Sequence, residues 1–498
     1  MIGLLIQDNV FEQDIRELLM SFYPGEVYAH EVKEGVDFYV ESRLDGGQVR
    51  LLVWDEQDKS KETKETGESL RPAPAPGFAL AMDRSRPADL GDRLGAKNVI
   101  KQLLYEMLCE RTGRTLPWGS LTGIRPTKIA LTCLEEGWKP EEIRDYMKKT
   151  YMASDEKIDL CIEIAAREKE LLAPVDYERG YSLYVGIPFC PTTCLYCSFT
   201  SYPIGKWKGR TGLYLGALFQ ELEYTARKMA GRPLDTIYFG GGTPTSLEAE
   251  DLEAILCKVE SLFDTKNVLE FTVEAGRPDS ITREKLQVLR DHGITRISIN
   301  PQTMNQKTLD LIGRRHTVEQ VKDTFYMARE LGFDNINMDL IMGLPQEGIS
   351  EVEYTLGEIR SLRPDSLTVH SLAIKRAARL NMFKEDYSNL TIRNTPEMIE
   401  MSMGCAREMG MEPYYLYRQK NMAGNFENVG YALPGKACLY NILIMEEMQT
   451  IAACGAGTTT KVVFPAQNRR ERCENVKEVE QYIERIDEMI GRKEKILT

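Results

Sequence analysis

This sequence has few histidines and more acidic than basic residues. Only four of its 498 residues are histidine, and 63 lysines and arginines stand against 76 aspartates and glutamates, so the net charge at pH 7 is −13. An acidic chain is repelled by the phosphates of nucleic acids and of anionic lipids. The charge therefore argues against general binding to nucleic acids or to anionic membranes.

Long hydrophobic runs are also missing. No segment is apolar enough to span a bilayer, and the first residues, MIGLLIQDNVFEQDI, lack the basic region, long apolar stretch and cleavage site of a signal peptide. These absences predict no membrane span and a cytoplasmic location. Eight of the eleven cysteines are scattered singly, most in apolar surroundings such as those of Cys257 and Cys454, which predicts reduced core residues.

Three cysteines stand together in one loop. The stretch YVGIPFCPTTCLYCSF, residues 184–199, places Cys190, Cys194 and Cys197 with three and then two residues between them. A 4Fe-4S cluster normally takes four cysteine ligands, so three thiolates would leave one iron open to a small chelating molecule. The alternative is a structural zinc site, which needs a fourth Cys or His near by, and this loop contains no histidine. The spacing therefore favours the cluster.

The length predicts two or three domains, because a single core rarely extends over 498 residues. Residues 55–77 are charged and then rich in proline, which predicts a loop with too little apolar content to pack. We expect an amino-terminal α+β domain with this loop over residues 1–90 and a helical connector over residues 91–175. A core follows over residues 176–374, and a mainly helical domain that covers the substrate follows over residues 375–498.

An α/β repeat begins near residue 181. Six runs rich in strand-forming residues alternate with segments of helical length and composition. The runs are YSLYVGI from residue 181, LDTIYFG from 234, VLEFTVEA from 268, ITRISIN from 294, DNINMDLIMG from 334 and DSLTVHSLA from 365. This alternation predicts a parallel sheet that right-handed crossovers curl into a partial (β/α)6 barrel. Catalytic groups then belong at the carboxyl ends of the strands, where the three cysteines follow the first strand.

Glycines and polar residues follow the later strands. They are the glycine-rich GGGTPTSL from residue 240, then Glu274, Gln302 with Arg314 further along, and Asp339. Glycines let the backbone approach a ligand closely, a carboxylate can hold an ammonium group, and the other side chains can bind hydroxyl or carboxylate groups. Any one strand end can carry a polar residue for other reasons, but this many in one repeat favours a bound ligand.

At these residues the chain resembles the oxygen-independent coproporphyrinogen III dehydrogenase family of radical S-adenosylmethionine (SAM) enzymes, the HemN type, and most closely its HemZ branch. The resemblance covers about residues 181–461, and GIRPTK, LTVHSLAIKR and PYYLYRQKNMAGN are similar to segments of HemZ-type members. It implies a 4Fe-4S cluster on the three cysteines, with Tyr184 packed beside it in the catalytic centre. It also implies binding of SAM by Gly241, Gly242, Thr243, Glu274, Gln302, Arg314 and Asp339, with Ile341 and Ala373 at adenine-contact positions.

The resemblance implies a reaction on coproporphyrinogen III. SAM is reduced and split, a hydrogen atom is taken from the β-carbon of a propionate, and loss of CO2 and one electron leaves a vinyl group. Two propionates react, which gives protoporphyrinogen IX for haem biosynthesis. A large, flat substrate with four carboxylates requires aromatic walls and cations. We expect these after the sixth strand, from Lys375, Arg376, Arg379, Tyr415 and Arg418; the alternative is a solvated basic turn and a packed aromatic corner.

Two positions depart from the dehydrogenase pattern. Gly186 stands where the dehydrogenase has a histidine before Ile-Pro-Phe-Cys, and Phe199 stands in place of a fourth cysteine, as in the HemW-type relatives. A HemW-like haem-binding or haem-trafficking protein therefore stays open, with His370 as a candidate ligand or a buried structural residue. A radical SAM methyltransferase acting on a tetrapyrrole, or an enzyme that opens the haem ring, stays open as well.

A cluster that cleaves SAM must first be reduced, which requires a one-electron donor such as flavodoxin or ferredoxin. Such donors are typically acidic, as this chain is, so docking requires a local positive patch. The segment YPIGKWKGR after the cysteine loop carries Lys206, Lys208 and Arg210 around the apolar Trp207. We expect the donor to dock there; the alternative is a solvated loop whose cations aid solubility.

Overall fold

A computed structural model describes residues 1–7, 9–57, 73–123, 125–199, 201–373, 375, 378–382, 389–419, 426–467 and 469–497. The chain divides into two compact units, the first comprising Met1–Pro126 and Thr132–Ile162 and the second Thr127–Leu131 and Glu163–Thr498. The finer division into four segments stays a prediction. In the described part of the chain, no helix has both the length and the apolar character needed to cross a membrane.

The first unit contains a sheet of five strands among its described residues. In chain order these are β1 (Ile2–Ile6), β2 (Tyr28–Ala29), β3 (Phe38–Asp45), β4 (Gln48–Glu56) and β5 (Phe78–Pro87). Strand β1 lies between β2 and β3 and is parallel to both, and β4 and β5 continue the sheet in antiparallel order. Helix α1 (Glu12–Phe22) and helix α2 (Arg93–Thr112) bury residues such as Leu18 and Leu104 in one core with the sheet. The α+β composition predicted for the amino-terminal region is present.

Further helices follow α2 in the segment predicted to be helical. They are α3 (Thr127–Glu135), α4 (Pro140–Tyr151) and α5 (Asp155–Leu171). Helix α2 has clear local signals at both ends. The carboxylate of Asp92 accepts a hydrogen bond from Leu94 N at 3.1 Å, and Gly113 ends the helix with a φ of 66°.

The centre of the second unit is a parallel sheet. Its strands and one short ribbon are, in chain order, β6 (Tyr181–Ile187), β7 (Phe189–Cys190), β8 (Tyr202–Pro203), β9 (Leu234–Gly241), β10 (Glu270–Gly276), β11 (Arg296–Ile299), β12 (Ile336–Met342) and β13 (Ser366–Ser371). Strands β6 and β9 to β13 are the six predicted strands, and each is parallel to the next. The predicted parallel core is confirmed. Its strands are buried on both faces, which explains their nearly continuous apolar runs.

Helices connect these parallel strands in sequence. They are α6 (Thr211–Lys228), α7 (Ala249–Leu262), α8 (Arg283–Asp291), α9 (Gln306–Leu311), α10 (Val318–Glu330) and α11 (Ile349–Leu362). The six-stranded core does not close on itself in the described chain, because β6 pairs with a later strand on its outer side and so does β13. An open α/β repeat of this kind agrees with the predicted partial barrel.

The carboxy-terminal region differs from its prediction of mainly helices. Its elements are α12 (Arg379–Met382), α13 (Pro396–Glu408), β14 (Glu412–Tyr417), β15 (Asn428–Ala432), α14 (Leu439–Glu446), β16 (Thr450–Cys454), β17 (Thr459–Phe464), β18 (Arg469–Glu474), α15 (Val479–Glu484) and α16 (Ile486–Glu494). Strand β15 pairs antiparallel with β13, and β16 pairs parallel with β6. Runs such as PYYLY and TTKVVF favour strands, and the two sheet edges provide pairing partners that are distant in sequence.

Candidate active site

The carboxyl ends of the parallel strands surround a cavity of about 360 Å³. In parallel α/β sheets these ends are where ligands bind. Most of the predicted site residues line this cavity: Cys190, Cys194, Cys197, Gly241, Gly242, Thr243, Glu274, Gln302, Arg314, Asp339, Ile341, Ala373, Lys375 and Tyr415. Residues from successive strand ends thus meet around one space.

The cysteine loop is held against the second strand end by backbone hydrogen bonds. Gly242 N donates to Ile187 O at 2.8 Å, and Thr243 N donates to Phe189 O at 2.6 Å. A Cβ atom at Gly242 would lie 2.4 Å from Phe189 O and 3.0 Å from Cys190 Sγ. Glycine is therefore required at position 242, because the glycine-rich segment lies directly against the cysteine loop.

The three sulfurs face one cavity but are not gathered around a single point. All three thiols line the cavity, but their sulfurs do not form a group within 4.8 Å of one another. Among the described residues such a group is formed by Glu253, Cys257 and His292, which do not line the cavity. One zinc ion, with Zn–S bonds of about 2.3 Å, would hold its sulfurs about 4 Å apart. The sulfurs are therefore not arranged around a single zinc ion, and a cluster, whose ligand sulfurs are further apart, does not require such an arrangement.

Arg277, directly after β10, was not predicted as a site residue. Its buried guanidinium lines the cavity, and Nη1 lies 3.7 Å from Cys194 Sγ. Asp279 accepts from its Nε and Nη2 at 3.0 and 2.6 Å. Burial opposes the charged form, but the bond to Asp279 and the nearby cysteine sulfurs outweigh burial and raise the pKa of Arg277. Its position directly after a predicted strand is the sequence feature that could have indicated a site residue.

Two carboxylates with opposite pKa shifts face the cavity. Burial raises the pKa of Glu274 to about 7, although Tyr238 opposes the shift by donating its hydroxyl to Glu274 Oε1 at 2.5 Å. Burial acts on Asp339 in the same direction, but the nearby His370 ring and the hydrogen bond from Asn337 outweigh it and lower the pKa of Asp339. Asn337 Nδ2 donates to Asp339 Oδ1 at 2.7 Å. Near neutral pH the site therefore holds one fixed negative charge and one that varies with pH.

Gln302 and Arg314 carry buried polar atoms without hydrogen-bond partners in the described chain. These atoms are Gln302 Oε1 and Arg314 Nε, and Asn300 Oδ1 beside them is likewise unsatisfied. Gln302 has a φ of 69°, and its backbone is held there because Gln302 N donates to Asp339 O and Ile341 N donates to Gln302 O, both at 3.0 Å. Buried polar atoms are nearly always hydrogen-bonded, so this set indicates a bound polar ligand.

Tyrosines form an aromatic wall. Tyr238 lines the cavity and stacks on Tyr440 with ring centroids 4.4 Å apart. Tyr184 stacks on both rings, at 6.0 Å from Tyr238 and 5.9 Å from Tyr440, but does not itself line the cavity. Its predicted position beside the cluster stays a prediction. A second pair, Tyr415 and Tyr417, has rings parallel to within 13°.

Strand alternation separates the residues predicted to line the substrate space. Tyr415, Tyr417 and Gln419 line the cavity, whereas the side chain of Arg418 is buried away from it, because successive side chains of an extended chain point to opposite faces. Arg379 is exposed at the start of α12 and is not part of the lining. Neither Arg418 nor Arg379 is in the lining formed by the described residues, and their role at the substrate stays a prediction. Arg376 lies outside the described residues.

Lys375 is a cation in the lining. Its Nζ lies 5.6 Å from the centre of the Phe199 ring, and burial lowers the pKa of Lys375. Phe199 also lines the cavity and is 70% exposed. The position where the dehydrogenase has its fourth cysteine therefore presents an accessible aromatic ring beside a cation.

The cationic segment after the cysteine loop lies next to that loop. Strand β8 pairs with β7, which ends at Cys190. Trp207 is buried, with its ring centroid 5.6 Å from that of Phe189, so it anchors the segment. Lys206, Lys208 and Arg210 are exposed.

Comparison with known proteins agrees with this geometry. The family model described as the Radical SAM superfamily matches residues 184–359. The oxygen-independent coproporphyrinogen-III oxidase-like protein HemZ of Bacillus subtilis (strain 168) is 44% identical over 498 residues, an alignment that covers 99% of this chain and 96% of that protein. The chain belongs to the HemZ-like family of radical SAM proteins.

Two other relatives match parts of the HemZ-like chain. The heme chaperone HemW of Bacillus subtilis (strain 168) is 35% identical over 236 residues, which are 47% of this chain and 62% of HemW. The solved structure of coproporphyrinogen III oxidase (HemN) from Escherichia coli, a radical SAM enzyme, has a TM-score of 0.50 and 24% identity, covering 63% of this chain and 71% of that one. The HemN likeness establishes the shared radical SAM fold.

Radical SAM proteins use a 4Fe-4S cluster and SAM, and the HemZ-like site fits both. The three thiols line the cavity without being drawn together for one ion. The unsatisfied atoms of Gln302, Arg314 and Asn300 can be hydrogen-bonded by polar groups such as the amino-acid and ribose groups of SAM. Which residue contacts which group stays a prediction.

Proposed function

We propose that this HemZ-like protein is a radical SAM enzyme that converts propionate side chains of coproporphyrinogen III to vinyl groups by oxidative decarboxylation without oxygen. One observation carries the proposal. A single cavity joins the three thiols and the polar strand ends to an aromatic and cationic wall of Lys375, Phe199, Tyr415 and Tyr417. Cations beside flat apolar surfaces are what a tetrapyrrole with carboxylates requires. The name of the HemZ relative supports the same substrate.

The cluster and SAM together supply the removal of a hydrogen atom from an unactivated carbon. The protein itself would bind SAM and the substrate and orient them toward each other. Ionised Glu274 would accept from the ammonium of SAM, Asp339 from its ribose hydroxyls, and Arg314 would donate to its carboxylate. Lys375 would pair with a propionate and so hold its β-carbon at one place. All four side chains line the same cavity, so they could contact SAM and the substrate when both are bound.

An anaerobic reaction with coproporphyrinogen III tests the proposal. Reduced protein and SAM should give porphyrinogens with one and then two vinyl groups, each step lighter by one CO2 and two hydrogen atoms in a mass spectrum. Lys375→Gln should raise the KM for the substrate and leave SAM affinity unchanged, because it removes only the charge proposed to bind a propionate. A protein that cleaves SAM but returns the tetrapyrrole intact would contradict decarboxylation.

Haem carriage is the second candidate, and it is favoured by Phe199 at the position shared with HemW-type proteins. The candidate ligand His370 is already engaged, with Nδ1 3.4 Å from Tyr417 Oη and Nε2 3.8 Å from Asp339 Oδ2. A haem titration separates the two functions, because a carrier would bind about one haem and lose it in His370→Ala. A methyltransferase would instead give a product heavier by one CH2.

We further propose that a flavodoxin- or ferredoxin-type protein delivers the electron at the cations of the segment after the cysteine loop. Pairing of β8 with β7 keeps this segment beside Cys190, and Lys206, Lys208 and Arg210 are exposed on it. A positive patch beside the cluster would attract an acidic donor despite the net charge of −13. A cytoplasmic location, where such donors and SAM occur together, is part of this proposal.

A further inference from the structure

The cysteine loop is bonded to one buried arginine. Arg277 is 4% exposed, and its Nη1 donates to Thr192 O at 3.0 Å and to Thr192 Oγ1 at 2.7 Å. The same nitrogen lies 3.7 Å from Cys194 Sγ, within reach of an N–H···S hydrogen bond. Because Thr192 stands between Cys190 and Cys194, this guanidinium holds the stretch that joins two of the proposed cluster ligands.

The charge of this arginine is matched by one carboxylate. Asp279 accepts from the two other guanidinium nitrogens of Arg277, Nε at 3.0 Å and Nη2 at 2.6 Å, so one edge of the guanidinium faces the loop and the other faces Asp279. Burial lowers the pKa of the adjacent His316 to about 3, which leaves its ring neutral. The pair therefore presents a fixed hydrogen-bond donor to the thiol while carrying little net charge.

The reduction potential of an iron–sulfur cluster depends on hydrogen bonds to its sulfurs and on nearby charge. A donor and a positive charge stabilise the reduced cluster, which carries one more negative charge, and so raise its potential. A negative charge nearby lowers it. SAM cleavage requires a strongly reducing cluster, and an unbalanced buried cation beside a ligand would work against that requirement.

We infer that Arg277 and Asp279 shift the reduction potential of the cluster in opposite directions, with Arg277 raising it through the bond to Cys194 and Asp279 lowering it through its charge. Both are positioning residues, since they act through the ligands. The inference rests on the proposed ligation of the cluster by the three cysteines. It assigns to the RPDS segment after β10 a role beyond that of a turn.

Opposite shifts in two variants test this inference. The midpoint potential of the SAM-free cluster is measured by anaerobic redox titration, followed by electron paramagnetic resonance of the reduced form. Arg277→Gln should lower the potential and Asp279→Asn should raise it, each by a tenfold change in the equilibrium constant for reduction, which is about 59 mV for one electron. Arg277→Lys, which keeps the charge, should lie between wild type and Arg277→Gln. Arg283→Gln breaks the exposed Arg283–Glu330 pair and should leave the potential unchanged.

A purely structural role predicts a different pattern. Loosening the loop would move both potentials in the same direction, or lower iron content equally in both variants without moving the potential, and either result would overturn the inference. If Arg277→Gln binds no iron, the midpoint potentials of Arg277→Lys and Asp279→Asn must still shift in opposite directions from that of the wild type. Iron and sulfide analysis of the wild type separates a failure of the proposed radical SAM function from a failure of the inference on Arg277 and Asp279. A wild-type protein without a cluster contradicts the proposed function itself, whereas a normal cluster with unmoved potentials contradicts this inference alone.

Discussion

At the residue scale, the three loop cysteines carry the first prediction. Replacing Cys190, Cys194 or Cys197 by Ser should remove nearly all of the cluster absorbance of anaerobically prepared protein, because each supplies a thiolate that the others cannot replace. Iron content per chain measures the result. Cys133→Ser and Cys405→Ser are the controls, since both thiols are buried and neither lines the cavity. Equal loss of iron in the controls would show that the cluster is not specific to this loop.

Glu274 gives a pH dependence. With its pKa raised to about 7, Glu274 is mainly neutral at pH 6 and mainly ionised at pH 7.5. Only the ionised form attracts an ammonium group, so SAM affinity should rise with pH, roughly five- to tenfold over this range. Equilibrium binding of SAM at a series of pH values measures the effect.

Two variants test the origin of that pH dependence. Glu274→Gln should bind SAM weakly and with a flat profile. Tyr238→Phe removes the hydroxyl that favours the ionised carboxylate, so its profile should move to higher pH. A wild-type profile that is flat, or that falls as pH rises from 6 to 7.5, would remove Glu274 from the SAM site.

Residues whose spacing or strand position carries chemistry could be predicted to meet at one cavity, and they do. The cysteines were recognisable from spacing alone, and Glu274 and Asp339 from their places on predicted strands. Arg277 was missed because its contacts with Thr192 and Cys194 form only when the cysteine loop is folded onto the strand end. Such tertiary hydrogen bonds leave no local pattern.

At the element scale, the contact between the glycine-rich segment and the cysteine loop predicts an asymmetry between two Gly→Ala variants. Gly242→Ala would place a methyl group 2.4 Å from Phe189 O and should displace the loop, with loss of iron and of SAM binding. Gly216 lies on an exposed face of α6, where an added Cβ would meet no atom within 4 Å. Gly216→Ala should therefore stabilise the helix by about 0.5–1 kcal/mol. Normal iron and SAM binding in Gly242→Ala would contradict the close approach described for this segment.

The last helix is fastened by a buried ion pair. Lys493 Nζ on α16 lies 2.7 Å from Glu221 Oε1 on α6 and also donates to Ala453 O on β16, and both charged side chains are about 1% exposed or less. Lys493→Met should lower the free energy of unfolding by about 3–5 kcal/mol, because it leaves the Glu221 carboxylate buried without its cation. Urea unfolding of the full chain measures this loss. Arg492→Gln, which breaks a more exposed pair with Glu488, should cost at most about 1 kcal/mol, and equal losses would refute the argument.

The six central strands were predictable because each is an apolar run between two helical segments. The carboxy-terminal strands were not, because β16 pairs with β6 and β15 with β13 across large separations in sequence. Their short aromatic and β-branched runs become strands where a sheet edge offers a partner. No local signal distinguishes Arg418, which is buried outside the lining, from Tyr417 and Gln419, which line the cavity.

At the scale of the whole molecule, an acidic electron donor must dock on a protein whose net charge is also negative. The proposed positive patch of Lys206, Lys208 and Arg210 would overcome this repulsion locally. Changing Lys206, Lys208 and Arg210 together to Glu should slow SAM cleavage driven by flavodoxin severalfold at low salt, because the acidic donor would then be repelled. Cleavage driven by dithionite should not change. The matched control changes Arg227, Lys228 and Lys266 to Glu, which are exposed on the segments that lead into the amino ends of β9 and β10. Equal slowing in both triple variants would show that net charge acts rather than a docking site.

An isotope label tests whether this cavity directs hydrogen abstraction to a propionate of coproporphyrinogen III. The reduced protein is incubated anaerobically with SAM and with coproporphyrinogen III deuterated at the propionate β-carbons, and the 5′-deoxyadenosine formed is examined by mass spectrometry. We expect deuterium in the 5′-deoxyadenosine together with a vinyl product that has lost CO2. Unlabelled 5′-deoxyadenosine with unchanged tetrapyrrole, or a methylated tetrapyrrole, would contradict this expectation.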